Sequence, residues 1–260
     1  MKRTKDIVLC ILLAIVVVAI TGCGKKENNS TEQVKENNPI KNFVVDPDQE
    51  YDTSAKFSYD DMIIGSLKYG MTEDEVKAVI GEPPRRVENK AEESIYGESV
   101  DYLFEDLQLS FYKHNGKMIL SSAYTGSRDY VFTKGLRVGD TKDQVISSFQ
   151  NEGTDEDKMR EISSAYEGVE AFGKYLYGHG LEDVKDGVKE SGNVDYAFIN
   201  YYNYDSSNPD ASYMIEYRHA EPPYVSNYAT SSDEMGSLVF DINNEGIVTS
   251  IRWYFTPKAE

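Results

Sequence analysis

The sequence predicts an α+β fold: two tandem repeats, each placing two helices on an antiparallel sheet, preceded by a leader and a polar tether. Three observations lead there. A ten-residue segment occurs twice, as Leu67-Lys68-Tyr69-Gly70-Met71-Thr72-Glu73-Asp74-Glu75-Val76 and as Leu136-Arg137-Val138-Gly139-Asp140-Thr141-Lys142-Asp143-Gln144-Val145. Each copy carries a helix-start signature. Each is followed by segments whose apolar residues alternate with polar ones, the mark of strands with one buried face.

The helix starts have a local cause. Thr72 with Glu75, and Thr141 with Gln144, have the spacing of a capping box, in which side chains satisfy the free N–H groups at a helix N-terminus. The first helix runs through Val79 and Ile80 to Gly81, with Pro83-Pro84 blocking extension. The second presents Val145, Ile146 and Phe149 as its apolar face. A further helix is expected over about 155–171, where Met159, Ile162, Ala165 and Tyr166 have helical spacing.

The later parts of each copy read as strands. Leu107, Leu109 and Phe111 alternate with polar residues and lead into a turn at Asn115-Gly116. Leu238, Phe240 and Ile242 do the same, turn at Asn244-Glu245-Gly246 and return through Ile251, Trp253 and Phe255. Leu107 to Tyr124 thus echoes Leu238 to Tyr254, and Val100 to Phe104 echoes Val194 to Phe198. The second copy holds an extra hairpin, with arms Ile199 to Tyr204 and Tyr213 to Arg218. It is rich in tyrosine. Tyr201, Tyr202, Tyr204, Tyr213 and Tyr217 are the candidate partner-binding residues, because tyrosine offers large amphipathic area with little rotamer loss. The alternative is that they simply suit half-buried strands.

The N-terminus has a different character. Lys2, Arg3 and Lys5 precede an apolar run from Ile7 to Ile20, which is followed by Thr21-Gly22-Cys23. Such a run is too short for a spanning helix and suits a secretory leader. The arrangement resembles the lipobox of bacterial lipoproteins. The resemblance implies cleavage after Gly22, two acyl chains on Cys23 and a position on the extracytoplasmic face of the cell membrane, tethered without spanning it. Cys10 lies within the leader, so no cysteine would remain for a disulfide or a thiolate metal site.

The expected division is a signal peptide over 1–22, a disordered polar tether over 23–60, a first repeat over 61–127 and a second, with insertions, over 128–260. The tether is poor in apolar residues up to the patch Phe43-Val44-Val45. The whole chain carries a formal charge of −18. Removing the leader leaves 24 Lys and Arg against 44 Asp and Glu, a formal charge of −20. That balance argues against nucleic acid as a partner.

The motif Leu-x-x-Gly-Met-Thr-x-x-Glu-Val, then Gly-x-Pro and short strands, resembles the SmpA/OmlA (BamE-like) lipoprotein domain. Two copies in tandem are similar to the architecture of the β-lactamase inhibitory proteins. The resemblance implies a non-catalytic protein-binding role, in envelope assembly or as an inhibitor, with an unidentified protein partner, no cofactor and no catalytic residues to carry over. A small-ligand sensor is a second class, and an exported glycan-active enzyme a third.

No sequence motif for catalysis or metal binding stands against this. Asp241 to Gly246 opens like a calcium loop, but its twelfth position is Arg252 rather than a carboxylate, so it reads as a hairpin turn. His114, His179 and His219 lack metal-ligand spacing, and His114, beside a turn, is expected to be exposed. If Cys23 is the anchor, the full chain expressed in a bacterial host should partition into the detergent phase of a cloud-point separation. Cys23→Ala should move it to the aqueous phase, and equal partitioning would refute lipidation there.

Overall fold

The structure, a computed structural model, describes residues 39–41, 43–46, 48–90, 97–152, 160–166, 169–178, 194–201, 213–221 and 234–256. In chain order these form β1 (Ile63–Ile64), β2 (Leu67–Lys68), α1 (Glu73–Ile80), β3 (Arg85–Asn89), β4 (Ser99–Leu103), β5 (Leu107–His114) and β6 (Lys117–Thr125). There follow α2 (Lys142–Ser147), β7 (Arg160–Tyr166), β8 (Val169–Tyr177), β9 (Val194–Tyr201), β10 (Tyr213–Ala220), β11 (Met235–Ile242) and β12 (Val248–Thr256). β1 and β2 make a small ribbon, and the other ten strands form one antiparallel sheet in the order β3-β4-β5-β6-β12-β11-β10-β9-β8-β7.

This corrects the predicted fold class. The described residues are mostly β, and they do not form the helix-helix-sheet α+β repeat. Among the described residues there are two α-helices, of eight and six residues. Part of the stretch expected to be a third helix is a strand. Arg160–Tyr166 pairs along its length with β8, because a neighbouring strand offers its Ser- and Ile-containing backbone a full set of partners. The two copies also do not form separate sheets.

What remains of the repeat is a shared way of docking a turn and helix onto a hairpin. Gly70 N–H donates to Leu120 O at 3.0 Å, and Leu120 N–H to Met71 O at 2.7 Å. In the second copy Gly139 N–H donates to Val248 O at 2.8 Å, and Val248 N–H to Asp140 O at 2.8 Å. Gly70 and Gly139 take φ of 86° and 92°, a region that a side chain disfavours, which explains the glycine in both copies. Both capping boxes are formed, with Thr72 accepting from Glu75 N–H and Thr141 from Gln144 N–H.

The hairpins match too. The pairing of β5 with β6 shifts at Ser110/Phe111, and that of β11 with β12 at Asp241/Ile242. Aligning these bulges makes Tyr124 equivalent to Arg252. In the sheet Tyr124 and Arg252 pair with each other, flanked by Ile251↔Thr125 and Trp253↔Ala123. A local pseudo-twofold axis therefore passes between Tyr124 and Arg252, and the β6–β12 ladder joins the copies across it. The strand beside β11 is β10, however, while the sequence echo of β4 lies in β9, one position further out.

The main core lies on the helix side of the sheet, and a smaller buried cluster of Tyr175, Val194 and Tyr196 lies on the other. One row crosses eight strands in register: Tyr102, Leu109, Ala123, Trp253, Leu238, Tyr217, Ala197 and Tyr177. All eight are fully buried. Val76 and Ile80 of α1, and Val145 and Ile146 of α2, join the same cluster. Tyrosine tips in this row are tied to the helices. Tyr102 Oη donates to Glu73 Oε2 at 2.8 Å, and Tyr217 Oη to Val145 O at 3.2 Å. Arg86 clamps the same Glu73 from β3.

The folded part begins before residue 61. Ile40 and Phe57, placed by sequence in the tether, are buried in the main core. Lys41 Nζ bonds Asp106 at 2.6 Å, and Phe57 N–H donates to Tyr177 Oη at 3.2 Å. Isolated apolar residues in a polar stretch carry no periodic signal, so this contribution was not legible in the sequence.

Two substitution series test the scheme by denaturant unfolding. Thr72→Ala and Thr141→Ala should each cost about 1 kcal/mol as lost caps. Ile40→Ala should cost roughly 2–5 kcal/mol, and an unchanged midpoint would show that residues 39–41 are not part of the fold.

Candidate functional site

Side chains alternate across a sheet, so the buried row dictates which residues reach the other side. On that side, opposite the helices, successive strands present Leu103, Gln108, Tyr124, Arg252, Val239, Glu216, Phe198 and Tyr175. The neighbouring row presents Asp101, Ser110, Ser122, Tyr254, Ser237, Arg218 and Tyr196.

The second copy's half of this face is an aromatic and ionic cluster. Tyr196 and Phe198 stack with centroids 5.9 Å apart, and Tyr175 meets Phe198 edge-on at 6.4 Å. The Arg218 guanidinium lies 5.6 Å from the Tyr196 centroid and 5.4 Å from that of Phe198. Arg218 also donates to Tyr196 Oη at 2.9 Å and to Glu216 Oε1 at 2.6 Å. Tyr254 Oη donates to the same Glu216 oxygen at 3.1 Å. Glu216 is only 2% exposed, so its charge needs these partners. Burial opposes the charge on Arg218, but the adjacent Glu216 carboxylate outweighs it and holds the guanidinium even more firmly protonated. Burial first, and then Glu216, raises the Tyr254 phenol above its ordinary value.

The first copy's half is more open. Tyr124 is 43% exposed and Arg252 lies partly exposed beside it at the pseudo-twofold axis. Next to them is a groove of about 400 Å³ whose lining includes Leu103, Phe104, Glu105, Gln108 and Tyr124. Asp106, at the groove's rim, is held by Lys41 and by Tyr130 Oη at 2.7 Å. Burial works against its charge, yet those two bonds prevail and hold its carboxyl below the usual range.

The sequence-predicted residues are distributed differently. Tyr217 is fully buried under α2, its ring 4.4 Å from that of Phe149, so it belongs to the core and offers no contact surface. Tyr213 is half-buried on the helix side, with Lys142 Nζ 5.9 Å from its ring. The backbone of Tyr201 ends β9 opposite Tyr213, as the expected hairpin requires. The Tyr201 side chain, and Tyr202, Tyr204 and Cys23 entirely, lie outside the described residues. The cluster that sequence reasoning missed had a visible signal. In Tyr196-Ala197-Phe198-Ile199 the aromatics alternate with small and aliphatic residues, which sends them to the face opposite the core. His114, expected to be exposed, is partly buried, 5.5 Å from the Phe255 ring. Among the described residues no group of three His, Cys, Asp or Glu side chains could hold a metal ion.

No protein-family profile, no curated protein and no solved structure matches this chain.

The Glu216–Arg218 pair gives a sharp test of the cluster. Arg218→Met alone should destabilise the protein by roughly 3 kcal/mol, because it leaves a buried carboxylate without its cation. Adding Glu216→Leu should recover most of that loss. Additive losses in thermal or chemical unfolding would refute the pairing.

Proposed function

We propose that this is a lipid-anchored extracytoplasmic protein that binds another protein, without catalysis, through the helix-free face of its sheet. The observation that carries this reading is the exposed Tyr124 beside Arg252 at the centre of that face. Tyrosine and arginine are among the residue types enriched at the energetic centres of protein interfaces. In the adjoining half Tyr175, Tyr196 and Glu216 are buried, so that half backs the contact and Tyr124 with Arg252 offers it. The duplicated turn-helix-hairpin unit, with its resemblance to BamE-like domains, supports a scaffold role. The lipobox-like leader supports presentation at the membrane surface. The groove of about 400 Å³ beside Tyr124 favours one other reading, a small ligand, since its volume falls in the range of small-molecule sites.

A photo-crosslinking amino acid at position 124, compared with one at Asp143 on the helix side, tests the proposal in cells. A discrete protein adduct from position 124 alone is expected. With that partner in hand, Tyr124→Ala and Arg252→Ala should each weaken binding about tenfold or more. Adducts at neither or at both positions would refute the assignment of the face. A ligand-induced rise in melting temperature, lost in Tyr124→Ala, would favour the small ligand instead.

A further inference from the structure

One end of the sheet holds a titratable group whose surroundings match only one of its charge states. A single row there runs Asp195, His219, Gly236 and Phe255 across β9, β10, β11 and β12, on the helix side. His219 is buried. Its Nδ1 lies 2.6 Å from Asp195 Oδ1, and its Nε2 lies 3.5 Å from Glu221 Oε1. A neutral imidazole has one N–H, so it would leave a lone pair facing one of these carboxylates. The imidazolium has two, and gives each carboxylate a donor.

The ring is also part of a seat for the turn at residues 58–62. The Tyr59 ring stands edge-on to His219 at 4.6 Å and lies 5.7 Å from Phe255 and 5.5 Å from Tyr69. It occupies the space above Gly236: a Cβ there would come within 2.8 Å of Tyr59 and of Met62 Sδ. The turn itself is held by Asp61 N–H to Ser58 O at 3.0 Å and Met62 N–H to Tyr59 O at 3.1 Å.

We propose that the His219 imidazolium is a key that locks the Tyr59 turn onto this end of the sheet, and that losing its proton loosens the turn. Without the positive charge, Asp195 and Glu221 face a neutral ring, and the seat under Tyr59 loses the ion pairs that fix it. The described charged and titratable groups around the seat are Asp60 and Asp61 of the turn itself, Asp195, Glu221, Tyr59, Tyr69, Tyr177, and the pair His114 and Glu234, 3.7 Å apart. Burial alone would lower the affinity of His219 for its proton. Asp195 and then Glu221 outweigh it and raise that affinity above the ordinary value of 6.5. A group raised in the folded state stabilises fully below its unfolded value and loses that contribution as pH climbs through the folded one. The turn is therefore tight in acid and loosens in alkali.

Hydrogen exchange on the full chain in detergent micelles, corrected for intrinsic rates, reads this directly between pH 5.5 and 8.5. Protection of the Asp61 and Met62 amides should fall about tenfold or more as pH rises, while that of β4 and β5 stays level. His219→Gln should abolish the dependence, and Asp195→Asn should move its midpoint to lower pH. His114→Gln should leave it intact. A flat wild-type profile, a parallel fall in β4 and β5, a His219→Gln protein with the wild-type profile, or a response lost in His114→Gln would each overturn the proposal. Should His219→Gln fail to fold, the Asp195→Asn midpoint decides: a downward shift supports the key, and no shift refutes it.

Discussion

The pairing of β6 with β12 is the contact on which the rest of the architecture rests. Each copy alone would expose the edge of its terminal strand, a row of unpaired N–H and C=O groups. Joining the two edges satisfies those groups and makes one ten-stranded sheet. It also places Trp253 beside Ala123 in the buried row, a large residue against a small one, so that the indole fills the seam between copies. The helices, the N-terminal segment and the helix-free face all take their positions from that seam.

The legible parts of the fold were those with strong local physics. Both capping boxes, the hairpin turn at Asn115-Gly116, the calcium-like loop read as a turn, and the Leu107–Tyr124 and Leu238–Tyr254 hairpins could be read from spacing alone. The errors came where tertiary pairing outweighs local pattern. Arg160–Tyr166 has helical spacing yet lies where a sheet continues, and β10 rather than β9 took the place beside β11. Ile40 and Phe57 contribute to the core as single side chains in polar sequence, a signal no window can detect.

The candidate face was less legible than the fold. Tyrosine content drew attention to the β9–β10 hairpin, but composition cannot say which side of a strand a residue takes. Tyr217 went inward because its register matches Leu238 and Ala197, both buried. Tyr196 and Phe198 went outward by the same alternation. Charge composition is equally silent about the face. The chain is strongly acidic overall, yet Arg218 and Arg252 both stand on the helix-free face, close to its centre. A net charge describes the long-range field and says little about one patch.

The pseudo-twofold axis has one more consequence. In a dimer of identical chains, any residue on the axis must meet its own copy, so the middle of a shared face is obliged to be self-matching. Fusing the halves into one chain removes that obligation. Tyrosine stands on one side of this axis and arginine on the other. The centre of the face therefore has a direction, apolar toward the groove and cationic toward the buried carboxylate. A molecule seated there would meet two unlike neighbours and have one way round to lie.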